Sequence, residues 1–176
     1  MSIYLTEKRL GEILRKLLPK HEFIHDRSVP NSQNKRRRPD YRNDDLQLII
    51  EFDGDSHYCK AGRIVNDAIK DADYETLGYK VVRIPYFVQM NNAVLRYIFG
   101  ENTDLKYTQE YPHGFIDKKA ILPADFCELG IELFKSDIEK FCLFKSEIIN
   151  SINVKIKELG NIDLVLPKSL QYLICL

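Results

Sequence analysis

The run Leu46-Gln47-Leu48-Ile49-Ile50-Glu51-Phe52-Asp53-Gly54 constrains this chain more than any other. Its first half is nearly continuous apolar, the pattern of a central strand covered on both faces. Such a strand needs layers above and below it, which points to an α/β architecture. The strand then delivers two acids. Side chains alternate along a strand, so Glu51 and Asp53 project from the same face. Two carboxylates together at the end of a buried strand repel each other. A bound cation offsets that repulsion, and so does water reaching one carboxylate past the sheet edge. Gly54 permits a sharp turn after the strand.

Upstream, residues 38–42 alternate in the manner of a strand and join 46–53 as a hairpin, with Asn43-Asp44-Asp45 as the turn. This places Asp40, Glu51, Asp53 and His57 within eighteen residues. The basic run Lys35-Arg36-Arg37-Arg38 precedes Pro39-Asp40 directly. Four bases in a row also suit a plain solvated loop. Beside a carboxylate set, however, they read as holders of phosphate. Acid that can hold a divalent cation, next to base that can hold a phosphate, is the equipment for cleaving a phosphodiester. His57 can carry a proton near neutral pH.

The remaining elements form a frame for this stretch. Residues 5–18 read as an amphipathic helix with Leu10, Ile13, Leu14, Leu17 and Leu18 on one stripe, Thr6 as N-cap and Pro19 as stop. Glu12 borders that stripe and is either a solvated flank or a carboxylate aimed at the metal. Residues 22–29 suit a first strand. Residues 62–77 suit a helix whose apolar stripe is Ile64, Val65, Ala68, Ile69, Ala72 and Leu77, closed by Gly78. Asp67 lies near its edge. Residues 79–84 suit a third core strand, 86–99 a helix, 123–141 and 143–159 two more helices, and 162–166 a short strand. Leu170–Leu176 is strongly apolar. The expected organisation is a core over 1–100 and a helical extension over 101–176 packed on it.

Composition bounds the rest. The 176 residues are 44% apolar and 30% charged, and no apolar run reaches the roughly 20 residues of a bilayer span. No membrane partner is expected. The amino terminus lacks the pattern of a secretion signal, so a cytoplasmic place and reduced thiols at Cys59, Cys127, Cys142 and Cys175 are expected. Formal net charge is zero, yet residues 1–100 carry 17 Lys and Arg against 14 Asp and Glu. A nucleic-acid partner would be met through a local basic face, with weak long-range steering.

The order helix, three strands, helix, strand resembles the core of the PD-(D/E)XK, or restriction-endonuclease-like, nucleases, with a mixed central sheet flanked by helices. The chain is closest in pattern to the small endonucleases similar to very-short-patch-repair enzymes. Glu12, Pro39-Asp40, Glu51-Phe52-Asp53-Gly54, His57, Asp67 and Gly78-Tyr79-Lys80-Val81-Val82-Arg83 carry the likeness, over about residues 5–90. The resemblance implies an endonuclease hydrolysing DNA, of restriction, repair or mobile-element type, with Mg²⁺ or Mn²⁺ as cofactor. It implies Asp40, Glu51, Asp53 and the Phe52 carbonyl as metal ligands, with His57 and Glu12 completing the catalytic set and Asp67 in support. Lys35, Arg36, Arg37, Arg38, Lys60 and Arg63 are the expected DNA contacts. A homodimer and a companion methyltransferase or repair factor are compatible partners. The family signature carries Lys two residues after its Glu, where this chain has Asp53, so the general base is left open. The rival reading is a catalytically inactive module of the same fold that binds nucleic acid or protein.

Overall fold

In the computed structural model, residues 4–174 are described. Cys175 and Leu176, the end of the apolar tail, lie outside them. Four strands form one mixed sheet in the order β1 (Ile24–His25), β2 (Tyr41–Asn43), β3 (Leu48–Asp53) and β4 (Lys80–Pro85). β1 and β2 are antiparallel, β2 and β3 are antiparallel, and β3 and β4 are parallel. The hairpin turns at 44–47, one residue later than its polar letters suggest. Asn43 Oδ1 accepts from the Leu46 N–H at 2.7 Å, and Gln47 takes a left-handed φ of 47°. β1 is two residues long where eight were expected, because Asp26 turns to a φ of 47° and ends the extended run.

Helix α1 (Glu7–Leu17) covers one sheet face. Thr6 caps it by accepting from the Arg9 N–H, and Leu10, Ile13 and Leu14 are buried. Gly11 is where the helix meets the sheet: a Cβ there would collide with the Tyr41 ring, whose hydroxyl donates to the Glu7 carbonyl at 3.0 Å. Tyr41 pairs with Ile50, so α1 lies over the face that carries Ile50. The opposite face carries Ile49, Glu51 and Asp53. Tyr74 of α3 (Ala61–Thr76) packs there with Ile49, Val29 and Tyr79.

α3 corrects the expected stripe. Val65 is 50% exposed and Ile69 46%, and Ala68 and Ala72 are exposed as well. The buried residues of α3 are Asp73 and Tyr74. The helix turns its polar side, with Asp67, Lys70 and Asp71, to the sheet. The sheet end beneath it carries Glu51, Asp53 and Arg83, and buried charges require partners more than apolar groups require cover.

The chain separates into two compact units. One comprises residues 1–53, 65–86 and 90–111; the other comprises 54–64, 87–89 and 112–176. Within the first, α4 (Asn92–Phe99) starts later than residue 86, because Asn91 supplies the N-cap by accepting from the Val94 N–H at 3.0 Å. The Asn92 amide ties residue 107 back to this helix through Tyr107 N–H and carbonyl.

The second unit is held by aromatic packing among Tyr58, Phe87, Phe115, Phe126 and Phe134. α2 (Ser56–Cys59) meets α5 (Glu128–Lys140) at Gly130, where a Cβ would strike the Tyr58 carbonyl. The Tyr58 hydroxyl donates to Asp137 at 2.7 Å. The helix expected over 123–141 is broken, since Phe126 and Cys127 are extended and the Cys127 N–H and thiol both reach the Tyr58 carbonyl. α6 (Lys145–Leu159) ends at Gly160 with φ 67°. The strand expected over 162–166 is a 3-10 turn capped by Asn161. Among the described residues no helix is long and apolar enough to cross a membrane.

Candidate functional site

Antiparallel register brings the first two acids together. Tyr41 opposes Ile50, so the next pair outward is Asp40 and Glu51, and directly opposed residues share a face. The Phe52 N–H donates to Asp40 Oδ2 at 2.7 Å and fixes that carboxylate at the end of the hairpin. β4 sets Arg83 beside Glu51 in register. From above, α3 adds Asp67, Lys70 and Asp71, at the i, i+3 and i+4 positions of one helix face.

Charge in this cluster is compensated in two sets. Arg83 donates to Asp53 at 2.6 Å and grips Asp71 with two bonds of 2.6 and 2.7 Å, with Asp67 3.6 Å away. Burial works against the Arg83 charge, but Asp53 and Asp71 hold its guanidinium well above the ordinary arginine range. Asp53 is therefore engaged by a guanidinium through its Oδ1. Glu51 is 2% exposed, and the Lys70 ammonium lies 2.8 Å from its Oε1. This ion pair favours the ionised form of Glu51 against its burial. Lys70 also donates to the Arg38 carbonyl at 3.1 Å.

The two acids of the hairpin are reluctant to ionise. Burial pushes Glu51 up to about 7, and the Asp40 charge adds to this, while Lys70 and Arg83 pull back. Asp40 is raised by burial, against the Phe52 N–H, with Glu7 and Asp53 adding repulsion. A divalent cation suits such a pair because it would favour both ionised forms at once. The donors that fit are the carboxylates of Asp40 and Glu51, the latter already facing the Lys70 ammonium. Among the described residues no three His, Cys, Asp or Glu side chains converge as a ready-made metal cage. The Phe52 peptide meets Asp40 through its N–H; the sequence had nominated its carbonyl.

Other expected residues lie elsewhere. Glu12 does not join the cluster. Its carboxylate pairs with Arg9 at 2.8 Å, which holds it below the usual range. With Arg9, Lys16, Tyr107 and Gln109 it lines a separate cavity of about 230 Å³. α1 lies over the sheet face opposite Glu51, so an inward-pointing residue of that helix does not approach it. The α1 acid whose charge reaches Asp40 is Glu7. His57 is buried in α2 and belongs, with exposed Lys60 and Arg63, to the second unit. In the basic run, Lys35 Nζ is tied to the Val29 carbonyl at 3.1 Å and Arg38 lies 3.5 Å from Asp26. The Arg36 and Arg37 side chains make no ion pair with any described residue. Asp73 accepts from the Gln33 N–H at 3.0 Å and moors this loop to α3.

Lys70 was missed at the sequence level. The signal was available in Asp67-x-x-Lys70-Asp71, a charged stripe at helical spacing. It was masked by the apolar stripe on the other side of the same helix. No protein-family model matches the chain, no curated protein is similar to it, and no solved structure resembles it at a significant level.

Proposed function

We propose that this chain is a divalent-metal-dependent endonuclease acting on DNA, built on a restriction-endonuclease-like core. One observation carries the reading: Asp40, just before β2 and bonded to the Phe52 N–H, stands close enough to Glu51 of β3 for its charge to act on it, and Lys70 reaches Glu51 from α3. The lysine absent two residues after Glu51 is thereby supplied from a helix. Mg²⁺ or Mn²⁺, held by Asp40 and Glu51, would polarise the scissile phosphate and lower the pKa of the attacking water.

The chain's own residues prepare the rest. The Phe52 N–H orients Asp40. The Lys70 ammonium stands where it can stabilise developing negative charge on a phosphate oxygen. Arg83 neutralises Asp53 and Asp71, so the strand end is not uniformly repulsive to a polyanion. Arg36 and Arg37, on the loop moored by Asp73, are available to flanking phosphates.

Asp40→Asn keeps the shape and one acceptor oxygen for Phe52 while removing the charge. We expect it to lower Mg²⁺- or Mn²⁺-dependent nicking of plasmid DNA at least about 100-fold with an unchanged far-ultraviolet circular dichroism spectrum. A fully active variant overturns the site. The second reading, an inactive module of the same fold that binds nucleic acid or protein, is favoured by the compensation of Asp53 by Arg83 and of Glu51 by Lys70. Wild-type protein that binds DNA and leaves it uncut with either metal would establish it.

A further inference from the structure

A concave surface at the start of α1 is not used by the site above. It has a volume of about 390 Å³ and is lined by Glu7, Lys8, Arg15, His25 and Tyr41. Lys8 and Arg15 are seven residues apart, on one face of the helix and about 10 Å along its axis. Gly11 lies between them, and its missing side chain makes room for the Tyr41 ring. Neither Lys8 nor Arg15 forms an ion pair with any described residue.

The remaining groups add to the positive balance. His25 Nε2 lies 2.8 Å from Glu7 Oε1, and its ring stands 5.0 Å from that of Tyr41. The Glu7 carboxylate is thus occupied by an imidazole and not by Lys8 or Arg15. The Tyr41 hydroxyl is spent on the Glu7 carbonyl. His25 Nδ1 has no hydrogen bond to a described residue, and the ring lines the cavity. Two cations without an ion pair and the His25 ring therefore line one cavity, whose one lining carboxylate, Glu7, is already engaged; Glu12, outside the lining, feels both cations through their charge. Isolated surface lysines need no partner. Here the excess charge is concentrated on a concavity whose floor, Tyr41, is adjacent in sequence to Asp40.

We propose that this cavity is a phosphate-binding site that receives two successive phosphates of a nucleic-acid strand, Lys8 and Arg15 taking one each beside the His25 ring. The inference rests on the nuclease reading for the identity of its ligand. It assigns part of the strand to the α1 side of the sheet, away from Lys35–Arg38.

The test uses two probes without divalent metal. Binding of a labelled DNA duplex is followed by fluorescence anisotropy as salt is varied. Inorganic pyrophosphate is titrated while the His25 imidazole resonances, assigned through His25→Gln, are followed by nuclear magnetic resonance. Lys8→Ala/Arg15→Ala should weaken duplex binding on the order of tenfold and reduce the slope of log affinity against log salt by about 2. Pyrophosphate should move the His25 resonances in the wild type and not in the double variant. Duplex binding with unchanged affinity and slope in the double variant overturns the proposal and leaves the nuclease reading standing. So does a His25 signal that pyrophosphate does not move. A wild type that binds no duplex, while pyrophosphate still moves His25 through Lys8 and Arg15, keeps the phosphate site and removes the nuclease reading.

Discussion

On the α3 side of the sheet, Glu51 meets Lys70 and Asp53 meets Arg83; on the α1 side, Lys8 and Arg15 form no ion pair with a described residue and act on Glu12 only through their charge. The difference follows burial. Lys70 and Arg83 are mostly covered, at 13% and 15% side-chain exposure, and a covered charge without a partner costs several kcal/mol. Lys8 and Arg15 are exposed and solvated, so they can stay unpaired at little cost. One side of the sheet has thus settled its charge internally. The other keeps charge available for something outside the chain. A net charge of zero conceals both facts.

The sharpest way to break the comparison is Arg83→Ala. It strands Asp53 and Asp71 near each other under α3, and we expect a loss of about 3–5 kcal/mol in urea unfolding. A loss under about 1 kcal/mol would mean that the cluster is wetter than its geometry indicates.

Next comes the pH dependence of Glu51. Its folded pKa of about 7 lies above the ordinary 4.5, so the native state holds a proton that the unfolded chain has released. The stabilisation is present in full below the ordinary value. It declines as pH rises between the two, and is gone above about 7. The total is on the order of 3 kcal/mol, and Glu51→Gln should flatten that part of the profile. Mn²⁺ should raise the melting temperature of the wild type more at pH 7.5 than at pH 5.5. Equal shifts at both pH values would count against Glu51 as a ligand.

On the α1 side, Gly11→Ala pushes a methyl group into the Tyr41 ring. We expect a loss of about 1–3 kcal/mol by the same unfolding assay, because the ring is also held by its bond to Glu7. The smallest effect belongs to Glu12→Gln. Glu12 pairs with Arg9 and lines a different cavity, so DNA nicking should stay within about twofold of the wild type. A collapse of activity would return Glu12 to the site.

Where local rules suffice, the elements were legible. Thr6 capping α1, Gly78 and Gly160 after α3 and α6, and the apolar run of β3 each follow from a short stretch of chain. Two local readings failed through single residues that leave the expected conformation: Asp26 cuts β1 short, and Cys127 splits a helix to bond with Tyr58. The candidate site was half legible. Asp40 and Glu51 could be paired because a hairpin register is local. Glu12 could not be excluded from the site by its letter or its spacing, since helical periodicity gives a face but not which sheet face it meets.

Taken alone, the sequence determined that a buried strand ends in acids, that a basic loop precedes it, and that helices stand on either side in chain order. Only the tertiary structure decided which charges are taken. Arg83 comes from β4 to hold Asp53, Lys70 comes from α3 to reach Glu51, and α3 presents its polar side inward against its own apolar stripe. The reason is physical. The desolvation of a charge depends on what covers it, and the covering groups here lie about 20 to 30 residues away along the chain.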